Sequence, residues 1–185
     1  MEVEMVGGTA LCVTGMPGSG KEAFLEIAGQ RGLPVIRMGD VVREEAARRG
    51  IGLTDEGVGG MADREREKHG MDVWARRTLE RIETDRVIID GLRSLEELDA
   101  FASRFTDGVV LVAVHASPST RYRRIAQRAR QDDIASEAAF RTRDRRELRW
   151  GLGGVIALAD EMVVNEGDRE EFQAEVRAIL ERVFP

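Results

Sequence analysis

The chain has one cysteine, two histidines, four prolines and one tyrosine among its 185 residues, and each scarcity removes a class of explanation. A single thiol makes no intrachain disulfide and no Cys-rich metal site. Cys12 lies in the apolar run 10–13 and reads as a buried, unpaired packing residue of a reducing compartment. His69 and His115 lack a partner at His-x-x-x-His spacing and read as structural. No apolar stretch is long enough to cross a bilayer, and Met1-Glu2-Val3-Glu4-Met5 carries acid where a signal peptide carries base. A cytoplasmic protein without membrane contact is expected. Aromatic residues are only 5 % of the chain, and Trp74 and Trp150 fall at helix-core spacing, which gives no stacking platform for single-stranded nucleic acid.

An excess of basic charge is also missing. The net charge of -6 argues against general binding to nucleic acid or a membrane surface, both of which want surplus lysine and arginine. What base there is comes almost wholly from arginine and concentrates over 121–149, a pattern suited to planar, bidentate grips on phosphate. Interleaved acids make about half of these arginines read as ion pairs on a solvated face. The length suits one well-buried core, so any lobe is expected as an insertion into a single domain spanning 1–185.

Short apolar runs at 11–14, 35–38, 87–90, 109–115 and 162–164 alternate with segments of helical spacing at 23–30, 41–49, 71–83, 95–105, 120–129, 137–150 and 170–183. That alternation predicts an α/β fold with a parallel sheet covered by helices. The stretches 50–60, which is rich in glycine, and 129–136 are polar and read as mobile insertions over the strands' C-terminal ends.

Between the first run and the first helix stands Gly15-Met16-Pro17-Gly18-Ser19-Gly20-Lys21. In this strand-to-helix context it predicts a P-loop, in which glycines bring backbone N–H groups close to polyphosphate, the helix N-terminus adds positive potential and the lysine bridges the outer phosphates. Where the fuller pattern puts a Ser or Thr hydroxyl on Mg²⁺, this chain has Glu22. Glu22 either turns outward or itself holds the metal; the cost of a carboxylate beside polyphosphate favours the outward orientation.

Three further constellations end on the same predicted edge. Val87-Ile88-Ile89-Asp90-Gly91-Leu92-Arg93 closes an apolar strand on an aspartate suited to a hydrated Mg²⁺, with Arg93 within reach of an acceptor phosphate. Met38-Gly39-Asp40-Val41-Val42-Arg43 offers close approach at Gly39, a helix cap at Asp40 and a cation at Arg43 facing the same edge. The last strand ends in Asn165-Glu166-Gly167, a turn placed to contact an adenine ring or simply to satisfy its own backbone.

Together these elements resemble adenylate kinase and its nucleoside-monophosphate-kinase relatives, while the 159–167 element resembles dephospho-CoA kinase. Nearly the whole chain is similar to an archaeal family of adenylate-kinase-like and dephospho-CoA-kinase-like ATPases. The resemblance implies a three-layer P-loop fold of nucleoside-monophosphate-kinase type with five parallel strands, an acceptor-binding helical lobe at about 40–85 and an Arg-rich lid at about 121–150. It implies ATP held by the loop, Lys21, Arg128 and the Asn165/Gly167 turn, with Mg²⁺ at Asp90 and Glu22. Lid candidates for the transferring phosphoryl are Arg128, Arg130, Arg141 and Arg143, with Asp132 and Asp133 as an acidic lid pair. The acceptor would meet Gly39, Asp40, Arg43 and Arg93: the arginines clamp a nucleoside monophosphate, whereas Asp40 would be the general base for a sugar hydroxyl, as in dephospho-CoA. A slow ATPase acting as a nucleotide-binding regulator is the competing class, motivated by Glu22. A GTPase is disfavoured because no Asn-Lys-x-Asp element is present.

Overall fold

In the computed structural model, which describes residues 8–128 and 136–185, β1 (Thr9–Thr14), β2 (Val35–Arg37), β3 (Arg86–Asp90), β4 (Val109–His115) and β5 (Glu161–Val164) form one sheet. Its order is β2-β3-β1-β4-β5, and every pairing is parallel. The central strands are apolar at consecutive positions because both faces are covered. Leu11, Val13, Ile88 and Val112 face one helical layer, α1 (Lys21–Gln30) and α9 (Arg169–Val183), through Phe24, Phe172 and Val176. Their neighbours Ala10, Cys12, Val87, Ile89 and Leu111 face the other layer. That layer holds α2 (Met38–Arg48), α3 (Asp55–His69), α4 (Val73–Leu79), α5 (Leu95–Ala102) and α8 (Leu152–Ala157). Cys12 is fully buried, as its apolar setting predicts, and burial raises its thiol pKa.

Adjacent strands β1 and β4 lead off to opposite sides of the sheet, which opens a crevice at their C-terminal ends, where α/β sheets place their sites. Flanking it are α6 (Pro118–Arg128) and α7 (Glu137–Arg149).

Two expectations need correcting. Residues 55–60 are not a mobile insertion but the first turns of α3. Thr54 caps it by accepting a hydrogen bond from the Gly57 N–H, while Met61 and Ala62 bury one face, so packing outweighs the low helix propensity of Gly57, Gly59 and Gly60. Asp40 is not a helix cap: α2 starts at Met38, directly after β2, which puts Asp40 inside the first turn, where its carboxylate still complements the helix dipole. The other expected mobile segment lies mostly at 129–135, outside the described residues.

Candidate active site

Gly15 to Lys21 turn sharply out of β1 into α1. Gly20 adopts φ 106°, and a Cβ there would lie 2.0 Å from the Asn165 amide nitrogen, so both conformation and space exclude other residues. Ser19 N–H donates to the Met16 carbonyl at 3.1 Å, and the Ser19 side chain is fully buried beneath the loop. Lys21 Nζ donates to the Gly15 carbonyl at 2.8 Å; burial lowers its pKa, and the charge of Asp90 works in the opposite direction. Outside the loop, Arg121 donates to the Pro17 carbonyl at 3.1 Å, and Arg124 and Asn165 donate to the Ser19 carbonyl at 3.1 and 2.9 Å. Asn165 thus braces the loop from β5, and its backbone N–H is taken by the His115 carbonyl.

A cavity of about 780 Å³ spans the C-terminal edge of the sheet. Gly15, Pro17, Gly18, Gly20, Lys21 and Glu22 form its P-loop wall, with Asn165 and Gly167 beside them. Gly39, Asp40 and Arg43 of α2 and Asp90 and Arg93 after β3 form the opposite wall. Met16 and Ser19 do not reach the surface of this space. Arg124 of α6 and Arg143 of α7 complete the lining. Arg141 is on the exposed face of α7, paired with Glu137, while Arg128 closes α6 and Arg130, Asp132 and Asp133 fall outside the described residues.

On the second wall each cation is held by a carboxylate. Arg43 donates to Asp40, one turn back on the same helix, and lies over Gly39, where a Cβ would come within 3.3 Å of its Nη1. Arg93 Nε donates to Glu147 of α7 at 2.6 Å, and its backbone N–H donates to the buried Glu97 at 2.7 Å. Despite burial, Glu147 keeps a lowered pKa because Arg93 and Arg143 surround it. Arg143 and Arg146 meet Asp55 of α3 at 3.2 and 2.7 Å. Beneath them lies Trp150, with the guanidinium carbons of Arg66, Arg146 and Arg93 at 4.4, 5.4 and 5.6 Å from its ring.

Asp90 and Glu22 differ in surroundings. Asp90 Oδ1 is buried without a hydrogen-bond partner, and burial pushes its carboxyl pKa up against the opposing charges of Lys21, Arg93 and Arg37. Glu22 Oε1 accepts from Arg37 Nη2 at 2.7 Å. Arg37, at the end of β2, also lines the cavity.

No sequence pattern singles out Arg37, Arg124 or Glu147. A lone arginine at a strand end makes no motif. Glu147 sits in a helix so rich in charge that nothing marks one carboxylate as buried.

A five-stranded parallel sheet with a glycine-lysine loop after its first strand is a P-loop kinase-like fold. Solved structures agree: a gluconokinase from Sinorhizobium meliloti superposes with a TM-score of 0.58 at 21 % identity, covering 97 % of this chain and 94 % of that one. Shikimate kinase from Aquifex aeolicus gives 0.53 at 17 %, with 93 % and 96 % covered. In sequence, the AAA domain family matches residues 14–141. A UPF0200 protein of Thermoplasma volcanium is 48 % identical over 171 residues, covering 92 % of this chain and 95 % of that protein. The chain belongs to this archaeal UPF0200 family of P-loop proteins. Among the described residues no helix is long and apolar enough to cross a membrane.

Proposed function

We propose that the protein binds Mg·ATP at the P-loop and transfers its γ-phosphoryl to a nucleoside monophosphate or a similar nucleotide bearing a phosphate. The observation that carries this reading is the cluster Arg43, Arg93 and Arg143 on the cavity wall facing Lys21, each guanidinium oriented by a carboxylate from its own or a neighbouring element. A phosphate acceptor is already an ionised nucleophile and needs clamps to bring its oxygen in line, which such an array supplies. A hydroxyl acceptor needs a base. Asp40, the candidate, instead accepts a hydrogen bond from Arg43, an engagement that weighs against the hydroxyl reading.

Lys21 would neutralise charge on the β- and γ-oxygens, and Arg143 would approach from the lid side as charge moves to the transferring group. The partnerless Oδ1 of Asp90 fits a hydrated divalent cation. Among the described residues no group of three or more metal-ligating side chains exists, so the ion would be held by Asp90, water and phosphate oxygens, as Mg²⁺ usually is. Such an ion would supply Lewis-acid neutralisation of the phosphate oxygens.

The test is ATP consumption with a panel of nucleoside monophosphates, with dephospho-CoA and with no acceptor. Stimulation by a monophosphate supports the reading. Stimulation by dephospho-CoA alone replaces it with the hydroxyl kinase, and slow turnover that no acceptor stimulates, with tight ATP binding, replaces it with the regulator.

A further inference from the structure

Glu22 poses a problem that the fold alone does not solve: a carboxylate occupies the P-loop position next to Lys21, on the wall where a polyphosphate would lie. At about 6 Å and an effective dielectric near 20, each unit of phosphate charge would repel it strongly enough to cost more than about a factor of ten in affinity. The structure answers with Arg37. Its Nη2 sits 2.7 Å from Glu22 Oε1, and the two side chains are one-third and two-fifths exposed, so the pair faces the cavity without being sealed from it.

Topology makes this pairing available. Arg37 is the last residue of β2 and stands in register beside Asp90 of β3. Glu22 is the second residue of α1, which leaves the neighbouring strand β1. An acid in the first turn of α1 and a base at the end of β2 therefore meet across the mouth of β3, beside Asp90. Neither of the two residues that follow Arg37 can replace it: Met38 is buried and Gly39 has no side chain.

Building on the nucleotide-binding reading, we propose that Arg37 is the charge-compensating residue that lets a P-loop carry Glu22, and that the two form one functional pair whose net charge toward the polyphosphate is near zero. Glu22 is turned onto this arginine, so it is a bound counter-ion and not a metal ligand. Arg37 acts through Glu22 and is a positioning residue. It does not grip phosphate.

The pair makes opposite predictions for its two halves. Removing Arg37 takes this compensating charge away from the carboxylate, so Arg37→Ala weakens Mg·ATP binding about tenfold or more at low salt. The loss is smaller for ADP, which carries less charge, and shrinks as salt screens the repulsion. Removing the charge of Glu22 leaves an uncompensated cation, so Glu22→Gln tightens Mg·ATP binding severalfold. The double variant returns to within about threefold of the parent, and Arg37→Lys, which keeps the charge, loses less than Arg37→Ala.

Calorimetric titration of the full chain with ATP and ADP, at two salt concentrations and over a Mg²⁺ series, measures all of this. Thermal melting checks that each variant is folded, and Arg37→Gln carries the same prediction as Arg37→Ala if the latter does not fold. Unchanged ATP affinity in Arg37→Ala overturns the proposal. So does a double variant as weak as Arg37→Ala, because Arg37 would then hold phosphate itself. A Mg²⁺ midpoint that rises in Glu22→Gln overturns it too, by making Glu22 a metal ligand. A parent protein that binds neither ATP nor tripolyphosphate overturns the nucleotide reading, and this proposal with it; a parent that binds both while the variants match it overturns the pair alone.

Discussion

The two walls of the cavity hold their cations by different means. On the P-loop wall, among the described residues, Lys21 leans on the Gly15 carbonyl, and Arg124 on the carbonyls of Ser19 and Asn165. These partners orient a cation without cancelling its charge. On the facing wall Arg43, Arg93 and Arg143 lie against Asp40, Glu147 and Asp55. There the partners fix direction and remove most of the net charge. The first wall suits a ligand bound by field strength; the second suits one bound by geometry, through guanidinium forks whose direction is fixed. Arg121 stands between the two: it braces the Pro17 carbonyl yet is neutralised by Asp144 through two hydrogen bonds at 2.9 and 2.6 Å, and so serves as a strut.

The sharpest way to break this comparison is Lys21→Ala. It removes a charge that no carboxylate is hydrogen-bonded to and none of the buried apolar side chains, so turnover is expected to fall by about a thousandfold or more, equivalent to several kcal/mol of transition-state stabilisation. The melting temperature should change little, since burial already disfavours the ammonium in the folded protein. Intact turnover in a folded variant would end the P-loop assignment.

Glu147→Gln probes the facing wall, and its signature should differ. The amide keeps the shape but loses the charge that orients Arg93, leaving a guanidinium in a largely buried setting with a weaker partner. The KM for a phosphate acceptor should rise about ten- to a hundredfold while the KM for ATP stays within about twofold. A loss shared equally by both substrates would show that Glu147 supports the whole domain and not Arg93. Stability should fall too, which is why the ratio of the two KM values, and not activity alone, is the readout.

The carboxylate-held arginines also make the packing of α2, α3 and α4 sensitive to acid pH. Glu65 of α3, hydrogen-bonded by Arg49 and Arg77, has its carboxyl pKa pulled down to about 2 from an ordinary 4.5. Since the folded value is the depressed one, the stabilisation is fully present above about pH 4.5 and is lost as pH falls toward 2. Glu65→Gln should therefore be less stable than the parent at neutral pH, and the difference should close between pH 4.5 and 2 in circular-dichroism titrations. A gap that stays constant over that range would assign the contribution of Glu65 to packing.

How much of this was legible in the chain follows from where the chemistry leaves a pattern. The P-loop wall is written in glycines at fixed spacing after an apolar strand, and Asp90 in an apolar run ending on acid. Both read directly, and the strands are placed to within about two residues. The facing wall is written in pairs that only folding brings together: Arg93 with Glu147, 54 residues apart, and Arg146 with Asp55, 91 apart. No local period encodes them. α3 was obscured for a related reason, since Gly59 looks like a helix breaker. In the fold its missing side chain makes room for Arg146, whose Cζ would lie 2.7 Å from a Cβ there.

Trp150→Phe is the smallest and most selective change, because it separates two roles of one side chain. The ring is a platform under Arg66, Arg146 and Arg93, while its Nε1 donates to Asp63 Oδ1 at 2.7 Å, tying the end of α7 to α3. Phenylalanine keeps an aromatic face and loses the donor. If geometry on this wall is set mainly by the stacked guanidiniums and their carboxylates, the variant should lose only about 1 kcal/mol of stability, the net worth of one hydrogen bond, and keep its acceptor KM within about twofold. Trp150→Ala removes the platform as well and should cost about 3 kcal/mol or more, with a clear rise in acceptor KM. Should Phe and Ala raise that KM equally, the bond to Asp63 and not the stack would be what aims the arginines, and the wall would depend on how α3 is docked against α7.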